Sequence, residues 1–247
     1  MLEEKPEELY AAIKDAGAIA DYLVERGEFT YAIEMDHVAS DIDAALDGTK
    51  DFSQTRVVLG KTPDNLAKYG FDTNLPLVVK SGKLRKLHEE DQNVGANRHN
   101  LSRETLKSLP DAVADPAMVM VSHTRPHDSI VVVSDMLDQQ GRPVILAIQA
   151  NVTAKVNNVS VLTNSLNSAY GRNGFDLFIQ HALEENRILY VGEKISHQIL
   201  QNPQLQLLSG LQSGVYTDNV AQFYANVNTE NLEVCVTKSL ARMIPVK

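Results

Sequence analysis

Apolar residues recur at helical spacing through the first part of the chain. The pattern predicts one helix from Pro6 to a break at Gly27, with apolar positions at Leu9, Ile13, Ala16, Ile19 and Leu23. A second helix is predicted over Thr30–Leu46, and the Asp47-Gly48 pair ends it. The simplest interpretation is a packed helical hairpin. An acidic cover or a partner-binding element is the functional alternative.

Shorter elements follow. Thr55–Leu59 is a candidate strand, and Thr62 is a candidate cap for a short helix over Pro63–Lys68. Ser81 is a candidate cap for a basic helix, and Ser102 begins a helix that reaches about Ala114 with a break at Pro110. This part of the chain is therefore expected to be mainly helical.

Beyond Ala114 the pattern changes to short apolar runs separated by turn residues. The predicted strands are Met118–Val121, Ile130–Ser134, Val144–Ala150, a further short strand at Val159–Leu162 and a last one at Ile188–Val191. A helix over Phe175–Glu185 precedes the last strand. Because the connections are short, we expect an antiparallel meander. The fold class is α+β, with helices packed on a small antiparallel sheet, and not a doubly wound fold.

The charge is unevenly distributed, although the net charge of the whole chain is −9. Residues 1–70 carry 15 acidic and 7 basic residues, whereas residues 71–200 carry 14 and 13 together with six of the seven histidines. We divide the chain into an acidic helical segment (1–54), an α+β domain (55–200) and a C-terminal extension (201–247). The extension either packs on the domain or binds partners. The central domain lacks the strong basic balance that is typical of nucleic-acid binding.

The composition also bears on the cellular location of the protein. The longest apolar runs are far too short to cross a bilayer, and the acidic N-terminus lacks the apolar stretch of a signal peptide. A single cysteine, Cys235, excludes an internal disulfide and any site with several cysteine ligands, and it is expected to be a core residue. We expect a cytoplasmic protein without membrane contact.

The order of short motifs from residue 55 to about residue 195 resembles the C-terminal domain of phage MuF-type proteins. The motifs that carry the resemblance are Val57-Val58-Leu59-Gly60-Lys61-Thr62-Pro63, Leu75-Pro76-Leu77, His99-Asn100-Leu101-Ser102, Leu109-Pro110-Asp111-Ala112, Asp115-Pro116, Ser134-Asp135, Gly141-Arg142-Pro143-Val144 and Ser168-Ala169-Tyr170-Gly171. That domain occurs in temperate-phage polyproteins and polymorphic toxins, and it has been grouped with the barnase–EndoU–colicin–RelE-like nucleases.

The resemblance implies a metal-independent ribonuclease toxin that needs no cofactor, with a curved antiparallel sheet whose face holds the site. RNA would be the substrate and an immunity or antitoxin protein a partner. The protein would act in the cytoplasm of a target or host cell, or travel with the virion. The sequence leaves the oligomeric state open.

RNA cleavage without a metal needs a proton-transfer group and cations for the phosphorane charge. His99 is the candidate for proton transfer because histidine titrates near neutrality. Lys86 and Arg172 are the candidates for phosphate, with Ser168 and Tyr170 lining the site. Further substrate-binding candidates are Lys83, Arg85 and Arg98.

Each candidate also has a structural interpretation. His99 could be a loop histidine bonded to its neighbours, and the basic residues of the Ser81 helix could form a solvated face. Ser168–Arg172 could be a turn anchored by a buried tyrosine. His123 and His127 have a spacing that suggests a metal, but the chain offers no supporting ligands, so we expect none.

Two other functions remain open from the sequence. One is a non-catalytic phage accessory or interaction domain, which the weak basic balance of residues 71–200 favours. The other is a toxin of the ADP-ribosyltransferase type, which ranks lower because the chain lacks a Glu-x-Glu signature.

Overall fold

The computed structural model describes residues 37–50, 56–89, 99–156, 159–193, 214–216, 218–223 and 227. Its helices are α1 (Val38–Asp47), α2 (Ser81–His88), α3 (Arg103–Lys107), α4 (Leu109–Ala114) and α5 (Phe175–Glu184), with a 3-10 helix at Asp64–Tyr69. Its strands are β1 (Val57–Lys61), β2 (Pro76–Val79), β3 (Met118–Val121), β4 (Ser129–Leu137), β5 (Pro143–Val156), β6 (Val159–Gly171), β7 (Ile188–Val191) and β8 (Gly214–Val215). The helix predicted from Pro6 to Gly27 and Cys235 lie outside the described residues.

The described strands form one mixed sheet in the order β1-β2-β6-β5-β4-β3-β7-β8. Strands β3 to β6 form the predicted antiparallel meander, and β7 adds antiparallel to β3. The sequence pattern did not predict the parallel pairing of β2 with β6, which joins the β1–β2 hairpin to the meander. The α+β class is confirmed.

Each face of the sheet carries its own core. Helices α1 to α4 pack on one face, where the buried residues include Leu84 of α2, Leu106 of α3 and Leu146 of β5. Helix α5 covers part of the other face through Ile179 and Ala182, against residues such as Ile145. The first face thus carries the larger of the two cores, and α5 covers part of the second face.

The two flanking segments contribute to the first core. Ile42 and Ala45 of α1 are buried in it, and so are Phe223 and Val227 near the other end of the chain. The C-terminal extension thus packs on the domain at these positions. The boundaries at residues 54 and 200 stay predictions.

Several local predictions can be compared with the structure. Ser102 caps α3 by accepting a hydrogen bond from the Thr105 N–H at 3.1 Å, and Gly48 ends α1 with φ 68°, both as predicted. Thr62 and Ser81 are not caps, because the cap positions are held by Pro63 and Lys80 without side-chain hydrogen bonds. The hydroxyl of Thr62 instead accepts a hydrogen bond from the Asn164 amide in the core.

The predicted and observed structures differ most in the extent of β6. The sequence pattern placed a short strand at Val159–Leu162 and left Ser168–Arg172 open to interpretation as a turn, whereas the strand continues to Gly171. Asn and Ser are depleted in strands, so the stretch Asn164–Ser168 does not look like a strand in the sequence. The turn interpretation of Ser168–Arg172 is therefore wrong.

A fully buried asparagine joins three segments around β6. The Nδ2 group of Asn164 donates to the Thr62 hydroxyl and to the Asp72 carbonyl, both at 2.9 Å. Its Oδ1 accepts from the Asn151 N–H at 3.1 Å. Removal of the amide would deprive the buried Thr62 hydroxyl, and the partly buried carbonyl of Asp72 and N–H of Asn151, of a partner, which is costly.

We predict that Asn164→Ala lowers the free energy of unfolding by about 2–4 kcal/mol, because the buried Thr62 hydroxyl and two partly buried backbone groups lose a partner at once. Chemical denaturation followed by circular dichroism measures this. Asn74→Ala is the control, since the Asn74 amide is exposed and bonds only to nearby Asp72. Equal effects of the two substitutions would contradict the role assigned to Asn164.

Candidate functional site

A β-bulge in β6 places two consecutive polar residues on the partly covered face of the sheet. Leu166 and Ala169 both point into the first core although they are three positions apart. The register with β5 shifts between them, so Asn167 and Ser168 occupy the place of one residue. Asn167 and Ser168 therefore both point to the second face.

The strand then regains its alternation, so Ser168, Tyr170 and Arg172 follow one another along the same face. Tyr170 packs against the second core. The Arg172 N–H donates to the Pro143 carbonyl at 2.8 Å, and its guanidinium carbon lies 4.6 Å from the centroid of the Phe178 ring. Its Nε is buried and has no hydrogen-bond partner among the described residues.

The C-terminal end of α2 holds His99 in place. The His99 N–H donates to the Lys86 carbonyl at 3.1 Å, and the Leu101 N–H donates to the Leu87 carbonyl at 2.8 Å. Asn100 between them has a left-handed φ of 48°, and its N–H donates to the Glu89 carbonyl at 3.1 Å. These backbone bonds fix the position of the histidine at the edge of β6.

The His99 ring packs against the Tyr170 ring. The two centroids are 5.1 Å apart and the ring planes make an angle of 30°. Both residues are partly exposed. The structure therefore brings together His99, Tyr170, Ser168 and Arg172, three of them on one face of β6 and the histidine beside it.

The basic candidates are less closely placed. Lys86 meets His99 through its backbone carbonyl, and its side chain is exposed. Lys83 and Arg85 are also exposed, but two positions along a helix turn the side chain by roughly 200°, so the two lie on opposite flanks of α2. Arg98 lies outside the described residues. The roles of these four residues stay predictions.

The acidic helix α1 pairs with α3, whose cations the sequence analysis did not consider. Asp43 accepts hydrogen bonds from Lys107 (2.7 Å) and Arg103 (3.3 Å), and Asp47 also accepts from Arg103. Hydrogen bonds from Lys107 and Arg103 lower the pKa of the Asp43 and Asp47 carboxyls, respectively. The acids of α1 thus neutralise α3, while Lys83, Arg85 and Lys86 on α2 stay exposed.

A polar network that the sequence analysis missed lies on the same face as Ser168. The Asn167 amide donates to the Gln149 Oε1 at 2.9 Å, and the Gln149 amide donates to the Asp128 carboxylate at 2.8 Å. The Ser165 hydroxyl donates to the Asn167 Oδ1 at 3.3 Å. The sequence signal for this network was the cluster of Asn and Ser in β6. Residues that disfavour a strand but occur within one are expected to mark a functional site.

An ion pair holds the end of β6. Asp138 accepts from the Arg142 Nε at 2.6 Å and from the N–H groups of Arg142 and Gln140. Burial raises the pKa of this carboxyl, but the hydrogen bonds from Arg142 and from the backbone outweigh that effect, so the pKa lies below its usual value. Gly171 faces the carboxylate so closely that a Cβ would overlap with it.

Of the two histidines at positions 123 and 127, His123 contacts a glutamate. His123 Nδ1 lies 3.2 Å from the Glu185 carboxylate on the connection after α5. Within the described ranges, no group of three or more His, Cys, Asp or Glu side chains is placed to hold a metal ion.

Among the helices of the described part of the chain, none is long and apolar enough to cross a membrane.

Fold and site together define an α+β domain with a polar patch on a partly covered sheet face. Residues 90–198, somewhat under half of the chain, match the family described as Phage MuF-C-terminal domain. The match includes His99, β6 and the polar network, but not α2 with its basic residues. No curated protein and no solved structure matches the chain. The resemblance to phage MuF-type domains is confirmed for this segment.

We predict that Gly171→Ala lowers the free energy of unfolding by about 1–3 kcal/mol, because the added methyl group displaces the Asp138 carboxylate from Arg142. Gly82→Ala is the matched control. Gly82 lies in α2 with open space around its Cβ position, so the same change should stabilise the protein by about 0.5–1 kcal/mol. Thermal and chemical denaturation measure both effects, and a neutral Gly171→Ala would contradict the packing argument.

Proposed function

We propose that this phage MuF-type segment is a metal-independent ribonuclease, with His99 as the proton-transfer residue. The observation that supports this proposal best is the contact between the His99 and Tyr170 rings beside a polar sheet face. A histidine held by backbone bonds beside a tyrosine, on a strand that also carries a serine and leads to an arginine, is an arrangement suited to acid–base chemistry on a phosphodiester.

In the proposed reaction, His99 takes the proton from the 2′-hydroxyl of the RNA. The 2′-oxygen then bonds to the adjacent phosphorus, and the bond from phosphorus to the 5′-oxygen breaks. The leaving 5′-oxygen receives a proton from the now protonated His99, directly or through a water molecule, which leaves a 2′,3′-cyclic phosphate and a free 5′-hydroxyl. Imidazole suits this exchange because it both accepts and donates protons near neutral pH.

The other candidates would handle the phosphate and the base. Arg172 follows Tyr170 on the same face, and its partly exposed side chain, whose guanidinium packs on the Phe178 ring, would supply positive charge for a phosphate oxygen. Tyr170 offers a hydroxyl to the phosphate or a ring for stacking a base. Ser168 lines the same face, and Lys86 would supply long-range positive charge from α2.

The match to a phage family suggests a biological role for the proposed ribonuclease. An active ribonuclease carried by a phage-type protein would act as a toxin in the cytoplasm of the cell it enters, and the producing cell would need an immunity protein. The exposed cations of α2 would attract an immunity protein with an acidic surface.

A non-catalytic phage interaction domain is the second candidate. The near balance of 14 acidic and 13 basic residues over positions 71–200 favours it, because a general RNA-cleaving enzyme would be expected to carry a more basic surface. Cleavage assays separate the two candidates directly.

We predict that the purified full-length protein cleaves total RNA in the presence of EDTA, and that His99→Ala slows cleavage by about 100-fold or more, because a general acid–base group is lost. Gel electrophoresis of the RNA measures the rates. His181→Ala is the matched control, since His181 lies exposed on α5, and it should keep full activity.

Circular dichroism of each variant establishes that the fold is retained. Cleavage that persists undiminished in folded His99→Ala would sink the assignment of His99. Absence of cleavage by the wild-type protein on all RNA tested would favour the interaction domain.

A further inference from the structure

The network on the second sheet face contains two side-chain amides in fixed orientation. Gln149 lies on β5 and Asn167 at the bulge of β6, and their amides bond to each other at 2.9 Å. Gln149 pairs in register with Ser165, whose hydroxyl bonds to the far side of Asn167. Gln149 and Asn167 are both partly exposed. This pair, here called the amide pair, is not used in the cleavage chemistry proposed above.

Asp128 sets the direction of every hydrogen bond in the network. An ionised carboxylate only accepts, so Gln149 must turn its Nε2 toward Asp128 and its Oε1 toward Asn167. Asn167 must then donate through Nδ2 and accept from Ser165 through Oδ1. The amide orientations thus follow from the charge at one end.

The carboxylate itself is firmly held. Arg125 donates to it through Nε at 3.1 Å and through its terminal nitrogen at 2.6 Å, a two-point contact that fixes the position of the carboxylate. The Ser129 hydroxyl adds a third donor at 2.8 Å. Asp128 is therefore a positioning residue for the amide pair, since it acts only through Gln149.

The amide pair keeps hydrogen-bonding capacity after these contacts are counted. Each NH2 group has two hydrogens and each carbonyl two lone pairs, while the network uses one of each. Each amide can thus offer one donor beside one acceptor. This is the pattern with which Asn and Gln side chains recognise the edge of a base.

The location fits a base bound next to the reacting phosphate. Ser168 adjoins Asn167, and Tyr170 lies two residues further along the same face, a distance of about 7 Å. Tyr170 and His99 offer rings for stacking, which is how proteins hold the unstacked bases of single-stranded RNA. Phosphate chemistry and base contacts would thus occupy neighbouring parts of one surface.

We propose that the amide pair reads the hydrogen-bonding edge of one base of single-stranded RNA, and that Asp128 fixes the orientation in which it does so. This inference rests on the proposed function for the identity of its ligand, RNA. The protein would then prefer one base near the site of cleavage rather than bind RNA without regard to sequence.

The test measures base preference by binding, so that it does not depend on cleavage. Full-length wild-type protein is titrated with four fluorescent 2′-O-methyl homo-oligoribonucleotides, of adenine, cytosine, guanine and uracil, which have no free 2′-hydroxyl for cleavage, and anisotropy gives each Kd. We expect one base to bind about 10-fold more tightly than the others, as a bidentate contact of this kind provides. Equal binding of the four, or no binding of any, overturns the inference.

Variants in the same background locate the preference. Gln149→Ala and Asn167→Ala should remove it, and Asp128→Asn should weaken it by letting the amides reverse. Asn167→Asp keeps the size of the side chain and replaces its donor, so it should also lose the preference even if the alanine variant does not fold. Asp111→Asn on the opposite side of the sheet makes the same charge change and should leave the preference intact.

Outcomes for the two proposals can be told apart. A preference that survives in Gln149→Ala and Asn167→Asp overturns the role of the amide pair, even if the wild-type protein cleaves RNA. A preference that these variants abolish supports it, even if the wild-type protein does not cleave, in which case the domain is a base-selective RNA binder.

Discussion

The ladder between β5 and β6 carries one extra residue, and the geometry of the candidate site depends on it. Without the bulge, Ser168 and Tyr170 would alternate in step with Leu166 and would point into the core beneath the helices. The extra residue reverses this order, so that Leu166 and Ala169 stay buried while the polar side chains reach the open face. A single local irregularity thus combines a continuous core with a polar surface.

The same bulge explains why β6 is held by polar contacts on both sides of it. A bulge disrupts a ladder locally, and nearby polar groups lose their regular partners. Asn164 satisfies the Asn151 N–H beside a second irregularity in β5, and the Asp138–Arg142 pair holds the end of β6 where Gly171 leaves room for a carboxylate. These contacts lie on either side of Asn167 along the strand. They fix both ends of the segment that carries the site.

The parts of the fold that the sequence predicted are those set by local patterns. Met118–Val121 and Ile188–Val191 are short, fully apolar strands, and their bounds were predicted without error. The extent of β6 was not, because its polar residues are typical of loops when read without the neighbouring strand. The parallel pairing of β2 with β6 and the bulge depend on contacts between distant segments, for which a single sequence gives no signal.

The site shows the same division. His99 was a candidate on residue type and resemblance, but its contact with Tyr170 spans 71 positions and arises from backbone bonds between α2 and the following loop. The amide pair was missed because Gln149 and Asn167 are ordinary surface residues when taken singly. Their significance lies in the direction that Asp128 imposes on them through space. An acceptor-only group at the end of a hydrogen-bond chain converts flexible amides into an oriented surface, and orientation is what base recognition requires.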